Sequence, residues 1–215
     1  MIKAFYIENK KQLTQEVIDT IEALIGPAEK RKASLYRRWQ DKQAYLLGKL
    51  LIAEHLEKNG YHTTLLQHLS YTKSNRPFIK TLKGDFNVSH SGDFVICAFS
   101  DAQMVGVDIE RIQVVDFKDF SNILNNNDEM AIKNADDKYA SFFKIWSAKE
   151  AILKADGCGL VDDIYKLELD GNVGTFNNKR YYLKEFNIAP SYSSCLASPS
   201  PIESFVIERV HLESL

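Results

Sequence analysis

Cysteine is scarce: Cys97, Cys158 and Cys195 are the only three in 215 residues, no two lie close together, and no C-x-x-C spacing exists to hold zinc. An odd, scattered set excludes a disulfide scaffold and reads as reduced thiols. Long apolar runs are missing as well. The longest, such as Phe94 to Phe99, fall far short of the roughly 20 residues that span a bilayer, so no membrane is expected. Met1 to Ile7 alternates like a strand, without a basic n-region or a small-residue cleavage site, which points to a cytoplasmic chain. Charge of one sign is absent too: 27 Lys and Arg face 29 Asp and Glu, so no polyelectrolyte partner is implied for the molecule as a whole. With 45% apolar and 11% aromatic residues the chain is not disordered, and its length suits one large domain or two small ones.

From Pro27 to Asn59 the residues Leu35, Leu46, Leu47, Leu50 and Leu56 recur near a 3.6-residue period. Pro27 suits a first helical position and Asn59-Gly60 a stop, so a helical stretch is expected there. Residues 65–71, 77–80, 85–90, 94–100 and 104–109 then read as short strands divided by Gly, Asn and Ser turns. Helical spacing returns from Asn127 to Lys154, with Asp136 or Asp137 as an N-cap and Gly157 and Gly159 as the stop. The tail, Lys166 to Val210, alternates again, notably at 179–186 and 205–210. Helix then strands, twice over, predicts an α+β chain of two halves, 1–102 and 103–215. A faint internal echo accompanies it: Phe94-Val-Ile-Cys-Ala98 resembles Tyr192-Ser-Ser-Cys-Leu-Ala197.

Charge is uneven in one place. Lys30, Arg31, Lys32, Arg37, Arg38, Lys42 and Lys49 face only Glu29 and Asp41. This segment reads as a solvated helix face, an anion site or a nucleic-acid patch, although no nucleic-acid motif accompanies it.

Three constellations carry chemistry. Gly106-Val-Asp108-Ile-Glu110 aims two carboxylates at one face of a strand, a costly arrangement that a divalent cation would relieve and that solvent at a strand end would also tolerate. Trp146-Ser-Ala-Lys149-Glu150-Ala-Ile-Leu-Lys154 puts Trp146, Glu150 and Lys154 on one helical stripe, either a site or a Glu-to-Lys pair beside a core tryptophan. Asn87-Val-Ser89-His90-Ser91-Gly92 is a polar turn that could cradle an anion or simply join two strands. A Ser-His hydrolase is disfavoured, because neighbours on a strand point apart and no Gly-x-Ser-x-Gly elbow occurs.

In this order the three motifs resemble the 4′-phosphopantetheinyl transferases, specifically the long, surfactin-synthetase-activating type. The likeness extends to Asp41 to Gly48, ending in Leu-Leu-Gly, and to Arg76-Pro77. It implies two pseudo-symmetric α+β halves with the active site between them, and a monomer rather than the trimer of the short type. The implied reaction moves the phosphopantetheine arm of coenzyme A to a serine of an apo acyl or peptidyl carrier protein, with Mg²⁺, releasing adenosine 3′,5′-bisphosphate. By the same resemblance Asp108, Glu110 and Glu150 would hold the metal. Glu150 and Lys154 would be catalytic, Lys154 at the diphosphate. Lys32, Arg76, Ser89 and His90 would bind coenzyme A, Lys32 at its 3′-phosphate. Three residues depart from the pattern: Arg76 where lysine is frequent, Asn75 where glycine is common, and Tyr45 where a smaller residue often precedes Leu-Leu-Gly. The competing expectation is a carrier-binding module that keeps the fold without catalysis; it has no need of all four of Asp108, Glu110, Glu150 and Lys154.

Overall fold

The computed structural model describes residues 1–159 and 164–212. Strand β1 (Ile2–Glu8) leads into three helices, α1 (Gln15–Leu24), α2 (Pro27–Ser34) and α3 (Trp39–Lys58). Short strands β2 (Ser70–Tyr71) and β3 (Pro77–Phe78) follow, then the hairpin of β4 (Asp85–Ser91) and β5 (Phe94–Ser100). The pattern then repeats with β6 (Gly106–Arg111), α4 (Asn126–Asn134) and α5 (Lys138–Asp156). Strands β7 (Glu168–Asp170), β8 (Val173–Phe176), β9 (Lys179–Phe186), β10 (Tyr192–Ser198) and β11 (Phe205–Arg209) complete the chain.

Two main sheets result, ordered β11-β1-β5-β4 and β6-β10-β9-β8-β7. In each, the first strand of the half pairs antiparallel with the second strand of a hairpin, so that β1-β5-β4 recurs as β6-β10-β9. The architecture is therefore α+β with two pseudo-symmetric halves. The echoed segments are β5 and β10, each an inner strand of its sheet and almost wholly buried; Cys97 and Cys195 lie within them. The tail does not stay with the second sheet: β11 returns to pair parallel with β1.

Each sheet buries one face under its long helix. Leu46, Leu47 and Leu50 of α3 pack with Phe5, Ile7, Cys97 and Phe99, while Ala151, Ile152 and Ala155 of α5 pack with Tyr181, Leu183, Cys195 and Ala197. The other faces meet: Ile2, Ala4, Ile96 and Ala98 share a core with Val107, Ile109, Tyr192 and Leu196.

Both expected helical stretches are broken in two. After α2 the Leu35 and Tyr36 amides turn back to the Lys32 and Ala33 carbonyls and Arg38 becomes extended, so Leu35 is 76% exposed and does not serve the core. No Gly or Pro marks that break. In the second stretch Ala135 is extended and Asp137 caps α5, accepting from the Tyr139 and Ala140 amides. Residues 65–71 depart from the expected strand: 63–68 form a 3₁₀ turn that tucks Leu66 inward, and only 70–71 pair. Helix α1 escaped the sequence reading, although Thr14 as cap with Val17, Ile18 and Ile21 on one face gave a signal. Among the described residues no helix is long and apolar enough to cross a membrane.

Candidate active site

The site begins with an absent side chain. A Cβ at Gly106 would lie 1.9 Å from the Ala151 carbonyl oxygen and 2.5 Å from the Ala155 amide nitrogen, both backbone atoms of α5. Glycine therefore lets β6 run against α5 backbone to backbone. That approach brings Asp108 and Glu110 to the stripe of Trp146, Glu150 and Lys154. The Lys154 ammonium donates to Asp108 Oδ1 at 2.6 Å, and the Trp146 indole N–H donates to Glu110 Oε1 at 3.2 Å.

Strand β4 supplies the other wall. Its residues Phe86 and Val88 pack into the first half's core, so Asp85, Asn87, Ser89 and Ser91 face the opposite way. All four reach the second half. Asp85 accepts from the Val105 amide at 2.8 Å and Asn87 from the Val107 amide at 2.9 Å. Ser89 donates to Asp108 Oδ1 at 2.8 Å and accepts from Lys154 at 2.9 Å. Ser91 donates to Glu110 Oε2 at 2.9 Å and accepts from the Arg111 amide at 3.1 Å. The edges of the two sheets are thus joined by a ladder of side chains instead of backbone. The sequence singles out Ser89 for coenzyme A and 85–90 as a strand, but not the link of Asp85, Asn87, Ser89 and Ser91 to the second half; the signal is a polar residue at every second position of that strand.

Electrostatics sets this cluster apart. Burial lifts the Asp108 carboxyl above the usual range, against the pull of Lys154. Burial, and then the charge of Asp108, does the same to Glu110. Burial pushes Glu150 up to about 7, with Lys154 opposing and Asp108 and Glu110 adding to the shift. Asp108 Oδ2 is buried and without a hydrogen-bond partner. Three mutually repelling, partly desolvated carboxylates with an orphaned oxygen form a donor set whose chemistry suits a hard divalent cation. Among the described residues, however, no three acidic, histidine or cysteine side chains converge tightly enough to form a finished cage. Glu110 is turned to Ser91 and Trp146, and Asp108 to Ser89 and Lys154.

Comparison with known proteins gives the arrangement its class. Residues 104–207 match the 4′-phosphopantetheinyl transferase superfamily, and residues 12–102 match the 4′-phosphopantetheinyl transferase N-terminal family. Over 92% of this chain and 89% of the relative, the sequence is 31% identical to the 4′-phosphopantetheinyl transferase psf-1 of Bacillus pumilus. The chain belongs to the 4′-phosphopantetheinyl transferase superfamily. It is also 26% identical to the 4′-phosphopantetheinyl transferase Sfp of Bacillus subtilis over the whole of both chains. With the L-aminoadipate-semialdehyde dehydrogenase-phosphopantetheinyl transferase of Rattus norvegicus it shares 28% identity over 68% of this chain and 52% of that one. The protein is an enzyme of this class.

In this transferase the other expected residues line the surroundings of the cluster, and the charges of Lys154 and Asp108 reach His90. His90 follows Ser89 on β4 and, by the strand alternation, faces the α3 side, where it is exposed. Lys32 is half-buried, its ammonium 4.5 Å from the ring centre of Tyr71 and 5.4 Å from that of Tyr45. Beneath it Glu29 accepts from the Tyr45 and Tyr71 hydroxyls at 2.5 and 2.7 Å and pairs with Lys49 at 3.0 Å. Burial raises the Glu29 carboxyl, but these donors more than offset it and leave the group below its usual range. Lys49 is thus a core residue and no part of a basic surface. The departure at Tyr45 has a local role here as a donor to this buried acid. Arg76, expected at coenzyme A, points inward: its guanidinium is buried and donates to Asp85 Oδ2, to the Val105 carbonyl at 2.8 Å and to the Lys154 carbonyl.

Proposed function

We propose that this transferase moves the 4′-phosphopantetheine arm of coenzyme A onto a serine of an apo acyl or peptidyl carrier protein, uses Mg²⁺, and releases adenosine 3′,5′-bisphosphate. The observation that carries this reading is the convergence of Lys154 on Ser89 and Asp108, at 2.9 and 2.6 Å, with Glu150 one turn before it on α5. Residues from all three sequence motifs share that one junction.

Asp108, Glu110 and Glu150 would hold the metal, which when bound supplies positive charge to the diphosphate. Glu150 takes the proton from the carrier serine as its Oγ–phosphorus bond forms. Lys154 lies one turn further on. Its ammonium balances negative charge on the diphosphate oxygens as the phosphorus–oxygen bond to the adenosine bisphosphate breaks. Ser89, bonded to both Asp108 and Lys154, fixes their spacing, while Trp146 and Ser91 orient Glu110. Ser89 and His90 contact the coenzyme phosphates, and Lys32 meets the 3′-phosphate. The protein acts in the cytoplasm as a monomer, since one chain supplies both halves; a stable trimer by light scattering would contradict that.

The test is mass spectrometry of apo carrier proteins incubated with the enzyme, coenzyme A and Mg²⁺. One phosphopantetheinyl group should be gained, and Asp108→Ala should abolish the gain while keeping a cooperative unfolding transition. No gain across a broad carrier panel, with Mg²⁺ or Mn²⁺, would return the chain to a carrier-binding role.

A further inference from the structure

The inward turn of Arg76 has a geometry of its own. The residue closes a tight turn in which the Asn75 amide bonds to the Thr72 carbonyl at 3.0 Å, the Thr72 amide to the Arg76 carbonyl at 2.9 Å, and the Arg76 amide to the Thr72 hydroxyl at 3.1 Å. Asn75 adopts φ +62°, a conformation asparagine tolerates better than most residues. From this turn the guanidinium spans the seam and joins three elements: Asp85 and, at 3.4 Å, the Phe86 carbonyl at the start of β4, Val105 at the entry to β6, and the carbonyl of Lys154 in the last turn of α5. That carbonyl is among those a helix end leaves without an intrahelical N–H. A second bond runs alongside, from the Ser74 hydroxyl to the Gly157 carbonyl at 2.5 Å. Asp85 also takes the Val105 amide at 2.8 Å, so acid and guanidinium grip both polar groups of one peptide residue.

We infer that Arg76 is a positioning residue for catalysis: paired with Asp85, it fixes the last turn of α5 against β6 and so sets where the Lys154 ammonium stands relative to Asp108. Lys154 needs such a hold, because its side chain is long and 26% exposed, and its reach is decided by where its backbone is anchored. Lysine at position 76 would not serve, since a single ammonium nitrogen lacks the planar fork that addresses four acceptors spread over three elements. The inference rests on the catalytic role proposed for Lys154.

The experiment compares Arg76→Gln, Arg76→Lys, Asp85→Asn, the Arg76→Gln/Asp85→Asn pair and Lys154→Ala with wild type, each with coenzyme A and with dephospho-coenzyme A. Asp85→Asn is the decisive variant, since it loosens the strut while leaving the guanidinium in place. A displacement near 1 Å of an acting group costs about 10–100-fold in rate. We expect kcat to fall by that factor in Arg76→Gln and in Asp85→Asn, with little change in KM and equally for both co-substrates. Arg76→Lys should not rescue, and the double variant should lose no more than either single one. If instead Arg76→Gln raises KM for coenzyme A, Arg76→Lys restores it and Asp85→Asn acts like wild type, Arg76 is a phosphate ligand and the strut is overturned. Loss in Lys154→Ala with wild-type kcat in Asp85→Asn overturns the strut alone; full turnover in Lys154→Ala overturns the reading of the site and the strut together.

Discussion

One methyl group at Gly106 should separate Asp108 and Glu110 from Lys154. In Gly106→Ala the new Cβ would start 1.9 Å from the Ala151 oxygen and 2.5 Å from the Ala155 nitrogen. Neither atom can rotate away, because both belong to the α5 backbone, and real carbon contacts stop near 3.0 Å, so the helix must retreat by about 1 Å beside Glu150 and Lys154. Overpacking of this kind costs roughly 1–3 kcal/mol, and rigid backbone on both sides puts the upper figure within reach. Turnover should suffer more than stability, by about 100-fold, since the same 1 Å is added to the distance between Asp108 and Lys154. Urea unfolding measures the first quantity and phosphopantetheinyl transfer at saturating coenzyme A the second. Gly48→Ala is the control: its methyl would meet side chains and no backbone, Val88 at 3.1 Å and Val95 at 4.0 Å, and alanine favours the helix. A Gly106→Ala enzyme that unfolds cooperatively and turns over like wild type would refute the claim that this close approach builds the site.

Two further outcomes are expected. With chelator present, Glu150→Gln should be more stable than wild type at pH 8 by roughly 1–3 kcal/mol, and equal to it near pH 4. The sign follows from a folded carboxyl at about 7 against 4.5 when unfolded: the native state binds the proton more tightly, so this group's contribution is full below about pH 4.5 and is lost as pH rises toward 7. Identical melting-temperature profiles for the two proteins would remove burial as the cause. Lys32→Ala should weaken coenzyme A binding by roughly 1.5–3 kcal/mol yet bind dephospho-coenzyme A like wild type; a loss that persists with the dephospho form would move Lys32 to carrier docking.

Local spacing made part of this legible and could not have given the rest. Strand alternation at Asp108 and Glu110, and the four-residue step from Trp146 through Glu150 to Lys154, define faces within single elements, and the contacts of Trp146 with Glu110 and of Lys154 with Asp108 join those faces. β5 was readable because a strand buried on both sides is a continuous apolar run. The break at Leu35 was not, since an exposed leucine in helical register looks like a core leucine until the helix ends. Arg76 shows the limit most clearly. Its neighbours Asp85, Val105 and Lys154 lie 9, 29 and 78 positions away, and no local pattern announces that a guanidinium will be enclosed by them.

The duplicated frame explains why the site lies where it does. Phe5 stands opposite Cys97 and Ile7 opposite Val95, while Asp108 stands opposite Cys195 and Glu110 opposite Ser193. With Cys97 and Cys195 equivalent, Phe5 and Ile7 occupy in the first half the places of Asp108 and Glu110 in the second. The long helices agree. Lys49 pairs with Glu29, the third residue of α2, and Lys149 with Asp128, the third residue of α4. The residue after each lysine is Leu50 in one half and Glu150 in the other. Phe5, Ile7 and Leu50 are all buried in an apolar core under α3. The second half thus carries three carboxylates where its counterpart carries three core side chains, a substitution that desolvation makes costly and that the upward pKa shifts of all three acids express. What offsets the cost comes from Lys154 and Trp146 on α5 and, across the seam, from the hydroxyls of Ser89 and Ser91 on β4. The first half has no such polar row laid against β1, which is enclosed between β11 and β5, and there the same positions remain apolar. The acid cluster therefore depends on the junction of the halves. Separated from β4, Asp108 and Glu110 would lose one wall of the site and, with it, both serine hydroxyls that bond to them.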